Sequence, residues 1–166
     1  MVFALLALNT AIYVMFGTLS ESLDSIAWLT LLVLFELETG SFFRLRGTRT
    51  MTWIRALRLA ASAALVAALA GYVGGREWAD AFNVALWCSV VGLLELEVHR
   101  PEVVARHQPS FVGAAVVLYC GLATLVGVWL WRGEWFDAYD AALWLIAFAT
   151  LEMDVLGFIS RKNRAS

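Results

Sequence analysis

Charged and helix-breaking residues are scarce in this chain of 166 residues. Only 16% of the residues are charged, two are proline and two are cysteine, whereas 61% are hydrophobic. The mean hydropathy is +0.76. A soluble core of this length cannot hide so much apolar surface from water, so lipid must cover the remainder. The scarcity of charge therefore predicts an integral membrane protein.

Several familiar chemistries lack the residues that they require. The only histidines are His99 and His107, both at or beyond the end of one apolar segment, so no pair can clamp a haem between helices. The single lysine, Lys162, lies in a basic tail and cannot form the buried Schiff base of a retinal protein. Walker, HExxH, CxxC and GxSxG motifs are missing from the sequence. We therefore expect no enzyme, no catalytic residue, no cofactor and no metal centre.

Apolar runs alternate with short charged turns along the whole chain. Each run is long enough for a tilted helix across about 30 Å of hydrocarbon. We expect an all-α membrane protein of one domain, 1–166, with six transmembrane helices paired as three hairpins. The runs lie at 2–19, 24–43, 52–74, 78–98, 111–131 and 135–160.

Basic residues are distributed unequally between the two sets of segment ends. One set holds ten of them, and the opposite set holds only Arg76 and Arg132. Because arginine and lysine accumulate on the cytoplasmic side, this asymmetry predicts that both termini are cytoplasmic. We expect a multi-pass protein of a bacterial-type inner membrane.

A pattern of tryptophan and acidic residues occurs three times, at intervals of 57 to 59 residues. In each copy an acid precedes the tryptophan by seven positions and Asp or Asn precedes it by four. Glutamate follows it by eight positions and a second acid by ten. Such agreement predicts repeat units of about 1–46, 47–106 and 107–166, which could surround a pseudo-threefold axis. The copies are Trp28 with Glu21, Asp24, Glu36 and Glu38; Trp87 with Asp80, Asn83, Glu95 and Glu97; and Trp144 with Asp137, Asp140, Glu152 and Asp154.

The acids after each tryptophan allow two interpretations. Each residue of a helix advances about 100°, so Glu38, Glu97 and Asp154 share the tryptophan face, whereas Glu36, Glu95 and Glu152 point elsewhere. Either set could form a carboxylate ring that passes a cation or a proton, since acids inside a membrane are costly and often functional. Alternatively, the acids pair with neighbouring arginines and brace each hairpin.

The residues before each tryptophan would gather at the outer ends of the same helices. Glu21, Asp80 and Asp137 could line an outer mouth, and Asp24, Asn83 and Asp140 could cap helix starts. The repeated tryptophans would anchor the outer interface or pack between helices. A lipid, quinone or pigment contact is a third use for them.

The expected function follows from short loops and an apolar surface all round. We expect an accessory or scaffolding subunit of a larger inner-membrane complex, of the respiratory or photosynthetic kind. The alternative is a small cation or proton channel or transporter that uses the repeated carboxylates. Its partners would be membrane lipid and other integral membrane subunits, with a cation in the alternative, and the net charge of −2 argues against nucleic acid.

Overall fold

A computed structural model describes residues 2–39 and 48–164, where every regular element is an α-helix and no strand occurs. Within these ranges the side chains of residues 36, 38–39, 48–51, 98–99 and 150–164 lie outside the description. The helices are α1 (Val2–Phe16), α2 (Leu19–Thr39), α3 (Thr48–Gly75), α4 (Trp78–His99), α5 (Pro101–Arg106), α6 (Gln108–Arg132) and α7 (Trp135–Arg164).

Three stretches are long and apolar enough to cross a membrane among the described residues. They are Thr52–Gly75 in α3, Trp78–Glu97 in α4 and Gln108–Arg132 in α6, with 24, 20 and 25 residues. About 20 apolar residues suffice to span the hydrocarbon layer. These stretches correspond to the third, fourth and fifth predicted segments. The helical membrane class is therefore confirmed.

Some helix boundaries agree with the prediction and others differ. The starts of α4 at Trp78 and α7 at Trp135 are as predicted. The second helix begins at Leu19, five residues before the predicted start. Thr18 and Glu21 cap this helix start, and so draw the polar residues that follow Thr18 into the helix. The short helix α5 lies within 99–110, where the sequence indicated a hydrophilic loop.

The described chain forms two compact units, and the boundaries between them fall inside α1 and α4. We call Ala7–Ala85 the first unit, and Met1–Leu6 together with Leu86–Ser166 the second unit. Each unit contains one extensively packed pair of helices, α2 with α3 in the first and α6 with α7 in the second.

The core of the first unit joins three helices around small residues. Ala68 and Tyr72 of α3 pack with Ala81 and Val84 of α4, and none of the four is more than 6% exposed. Leu23 of α2 packs against this cluster. Small side chains let helix backbones approach closely in lipid, where packing must replace the hydrophobic drive.

The helices α2 and α3 approach each other closely at Gly71. A Cβ atom at this position would lie 2.1 Å from the Ser20 hydroxyl oxygen and 3.3 Å from the Ser20 Cβ. Rotation of the serine side chain could relieve the first contact but not the second. A larger residue at position 71 would therefore push the two helices apart.

The second unit packs α6 against α7 along a narrow stripe. The buried residues of α6 are Leu122 and Trp129, two turns apart on one face. Gly121 lies beside Leu86 of α4, where an added Cβ would come within 3.2 Å of a leucine methyl carbon. Most other side chains of α6 are exposed, as is typical of a lipid-facing helix.

The turn between α3 and α4 ends the first of these helices with a Schellman motif. The N–H of Arg76 donates to the carbonyl of Val73 at 3.2 Å, and the N–H of Glu77 donates to the carbonyl of Tyr72 at 2.9 Å. Arg76 adopts a left-handed conformation with φ of 61°. This motif satisfies carbonyl groups that the end of a helix would otherwise leave unpaired.

The turn between α6 and α7 has the same hydrogen bonds. The N–H of Gly133 donates to Leu130 at 3.2 Å, and the N–H of Glu134 donates to Trp129 at 2.9 Å. The left-handed residue is Gly133, with φ of 80°. Both turns have only two residues between their helices.

Candidate functional site

The three repeated tryptophans are buried in the units to which they belong. Trp28, Trp87 and Trp144 are 7%, 4% and 8% exposed. By contrast, Trp53 is 70% exposed and Trp131 is 90% exposed, as side chains at a membrane interface would be. The repeated tryptophans are therefore packed inside their units.

Two of these tryptophans meet at one phenylalanine of the second unit. The ring centroid of Phe148 lies 4.6 Å from that of Trp87 and 6.3 Å from that of Trp144, with tilted planes. Such distances are favourable for aromatic pairs. The aromatic cluster links α4 to α7, and thus the helices that carry the second and third copies of the pattern.

The acid seven residues before each tryptophan occupies the third position of a helix. At the start of α2 the N–H of Thr18 donates to a carboxylate oxygen of Glu21 at 2.5 Å, and the N–H of Glu21 donates to the Thr18 hydroxyl at 3.3 Å. This reciprocal pair is a capping box. Asp80 in α4 and Asp137 in α7 hold the same third position. Their charge suits the positive end of the helix dipole.

The residue four before each tryptophan lies too deep in its helix to cap it. Asp24, Asn83 and Asp140 are the sixth residues of α2, α4 and α7, beyond the four N–H groups that a helix start leaves free. Capping does not fit these positions. All three side chains are half-buried, and the Oδ1 atoms of Asp24 and Asn83 are buried without a hydrogen-bond donor, although Asp24 has other interactions. Polar residues thus line the buried faces of these helices.

Two of the three acids of the predicted outer mouth lie near Tyr72. This tyrosine is 3% exposed, and the carboxyl groups of Asp24, Asp80, Glu21 and Glu77 lie near its hydroxyl group. Glu21 and Asp80, which the sequence assigned to the mouth, therefore lie near one side chain of the first unit. Asp137, the third predicted member, belongs to the second unit.

The acids after the tryptophans lie near the opposite ends of α2 and α4, whereas Glu152 and Asp154 lie 12 and 10 residues before the end of α7. Glu95 and Glu97 of α4 are exposed. The side chains of Glu36, Glu38, Glu152 and Asp154 lie outside the described residues. Among the side chains that the structure describes, no group of three Asp, Glu, His or Cys residues could hold a metal ion.

An aromatic residue fifteen positions before each tryptophan was missed by the sequence reasoning. Tyr13 is half-buried, whereas Tyr72 and Trp129 are both 3% exposed. Tyr72 and Trp129 also supply the carbonyl groups that close their respective Schellman motifs. Extending the spacing comparison to the helix before each turn would have found this position, because all three residues are aromatic.

Comparison with models of known protein families, with curated proteins and with solved structures finds no match. The functional argument therefore rests on the residues and geometry of this chain.

Proposed function

We propose that this protein is an accessory or scaffolding subunit of a larger membrane-protein complex, of the respiratory or photosynthetic kind. Six transmembrane helices form its three repeated hairpins, both termini are cytoplasmic, and a bacterial-type inner membrane contains it. The matching hydrogen bonds of the α3–α4 and α6–α7 turns support the repeat. The unequal distribution of arginine supports the orientation.

One observation carries the functional proposal. Two parts of the repeated pattern serve packing and helix ends, since the tryptophans are buried and Glu21 caps α2. The outward surface, in contrast, is broad and apolar, with Leu59 at 72% and Val117 at 69% exposure. A chain with a packed interior and an apolar outer surface is suited to contacts with lipid and with helices of other subunits.

Site-specific photo-crosslinking in native membranes tests this proposal. A crosslinking residue replaces Val117 on the exposed face of α6, and the matched control replaces Leu122, which is 2% exposed on the same helix. We expect Val117 to crosslink to other membrane proteins in reproducible ratio and Leu122 to crosslink only within the chain. Mass spectrometry of the products would identify the complex. Crosslinks from Val117 to lipid alone would contradict a scaffolding role.

The second candidate is a small cation or proton channel or transporter, favoured by the several carboxyl groups that lie near Tyr72. A path would begin at Glu21 and Asp80 and continue to the acids beyond the tryptophans. Replacing Glu36, Glu95 and Glu152 together with glutamine should abolish ion flux in liposomes while the protein still folds. A matched replacement of the exposed Glu102 and Glu134 should leave flux unchanged. Equal flux in both variants would reject the channel.

A further inference from the structure

The segment Arg100–His107 is held at the end of two membrane helices. A single residue, Arg100, separates α4 from α5, and a single residue, His107, separates α5 from α6. Both α4 and α6 contain a stretch long enough to span the membrane. Because one extended residue reaches only about 3.5 Å, α5 cannot move far from the ends of these helices. It is confined to the layer where lipid headgroups lie.

Packing within the protein does not explain why α5 is helical. It has six residues, and none of them is buried. A helix of this length is unstable in water by itself, because too few hydrogen bonds offset the cost of nucleation. Pro101 favours the helix start, and the N–H of His107 donates to the carbonyls of Val103 and Val104 at the end. An interface that accommodates both apolar and charged groups would supply the missing support.

The side chains of the segment separate into a basic face and a remainder. Val103 is 43% exposed, and the exposed Arg100, Arg106 and His107 stand three or four positions from it. Residues at these spacings share one side of a helix. Glu102 stands about 100° from Val103 but lies four positions before Arg106 and borders this side, so the two arginines and Glu102 leave a net charge of +1 with His107 neutral. The face therefore combines two arginines with an apolar centre.

We propose that this face, consisting of Arg100, Val103, Arg106 and His107, binds the headgroups of anionic phospholipids. The positive charges of the arginines attract the lipid phosphates, and Val103 rests against the upper acyl chains. The inference uses only the spans in α4 and α6, so it is independent of the subunit or channel proposal.

Native mass spectrometry of the full-length protein tests lipid binding directly. The purified protein in neutral detergent is titrated with phosphatidylglycerol or with phosphatidylcholine, and the bound fraction is measured for each lipid. The test variant carries Arg100→Gln and Arg106→Gln. The matched control carries Arg76→Gln and Arg132→Gln, which remove the same charge from two exposed arginines at the other helix ends.

We expect the wild type to prefer phosphatidylglycerol over phosphatidylcholine. In the test variant this preference should fall by about 30-fold, or about fivefold for each arginine, because a basic residue near an anionic surface contributes about 1 kcal/mol. The control variant should retain the preference. An Arg100→Lys and Arg106→Lys variant should also retain it, which separates loss of charge from loss of folding.

Three outcomes would overturn the proposal. The wild type could bind both lipids equally, or the control could lose as much preference as the test variant. The lysine variant could also lose the preference while keeping its helical content.

Discussion

The turns α3–α4 and α6–α7 have the same backbone hydrogen bonds but differ in the type of residue at the left-handed position. Arg76 is left-handed in the first turn, whereas Gly133 is left-handed in the second. A side chain in this conformation costs about 1–2 kcal/mol, which glycine avoids. The first turn therefore keeps its geometry despite a local cost. The packing of Tyr72 and the close approach of α2 at Gly71 supply the interactions that can offset it.

Because two different residues adopt the same turn, we infer that packing of the helices on either side determines the turn geometry. The turn residue makes a smaller contribution to stability. Each turn follows a buried aromatic residue, Tyr72 or Trp129, whose carbonyl accepts the final hydrogen bond. If this view is right, removing the aromatic side chain should matter more than changing the left-handed residue. The first two predictions test this order.

The largest effect should come from removing the aromatic side chains. We expect Tyr72→Ala and Trp129→Ala each to lower the free energy of unfolding by about 3 kcal/mol, because each leaves a cavity between packed helices. Trp131→Ala is the matched control, since this side chain is 90% exposed, and should change stability by less than about 0.5 kcal/mol. Unfolding by sodium dodecyl sulfate in mixed micelles measures these values. A loss at Trp131 as large as that at Trp129 would contradict the packing argument.

The left-handed residues should give the next largest effect. We expect Gly133→Ala to destabilise the protein by about 1 kcal/mol and Arg76→Gly to leave stability unchanged or slightly raised. Gly127→Ala is the control: it lies inside α6, where an added Cβ meets no atom within 4 Å, so it should stabilise the helix by up to about 1 kcal/mol. The same micelle titration compares the three variants. Opposite signs at Gly133 and Gly127 would separate backbone conformation from side-chain size, whereas equal signs would refute the role of the turn.

The residue at the capping position differs between α2 and the two other helices that carry the repeated pattern, α4 and α7. Thr18 is the capping residue there, whereas Glu77 and Glu134 hold the corresponding positions before α4 and α7. We expect Thr18→Ala to cost about 1 kcal/mol, since it removes an acceptor for the N–H of Glu21. In the control, Thr124→Ala removes a hydroxyl that only donates to the carbonyl of Cys120 in its own helix, and the cost should be under about 0.5 kcal/mol. Equal losses would show that Thr18 does not act through capping.

Much of the helical organisation could be predicted because hydropathy and turn charges record it directly. The starts of α4 and α7 at Trp78 and Trp135 agree with the prediction, since a charged turn precedes each. The sequence did not reveal α5, because a six-residue helix has no full hydrophobic period. Nor could it reveal that carboxyl groups of α2 and α4 lie near Tyr72, since that depends on packing between segments distant in sequence.

The smallest expected effect is a coupling free energy that the phenol of Tyr72 should show and the indole of Trp129 should not. The carboxyl group of Asp80 lies near the buried Tyr72 hydroxyl and can interact with the dipole of the neutral phenol, so Tyr72→Phe and Asp80→Asn should show a coupling free energy of about 0.5 kcal/mol in a double-mutant cycle. The matched cycle combines Trp129→Phe with Asp137→Asn at the other turn, where the aromatic residue has no hydroxyl, and should show a coupling near zero. Unfolding in mixed micelles at neutral pH measures all six variants. Equal coupling at both turns would mean that the acids respond to the helix ends and not to the tyrosine. Coupling only at the first turn would show that the two hairpins, alike in backbone, differ in the electrostatic environment of their buried aromatic residue.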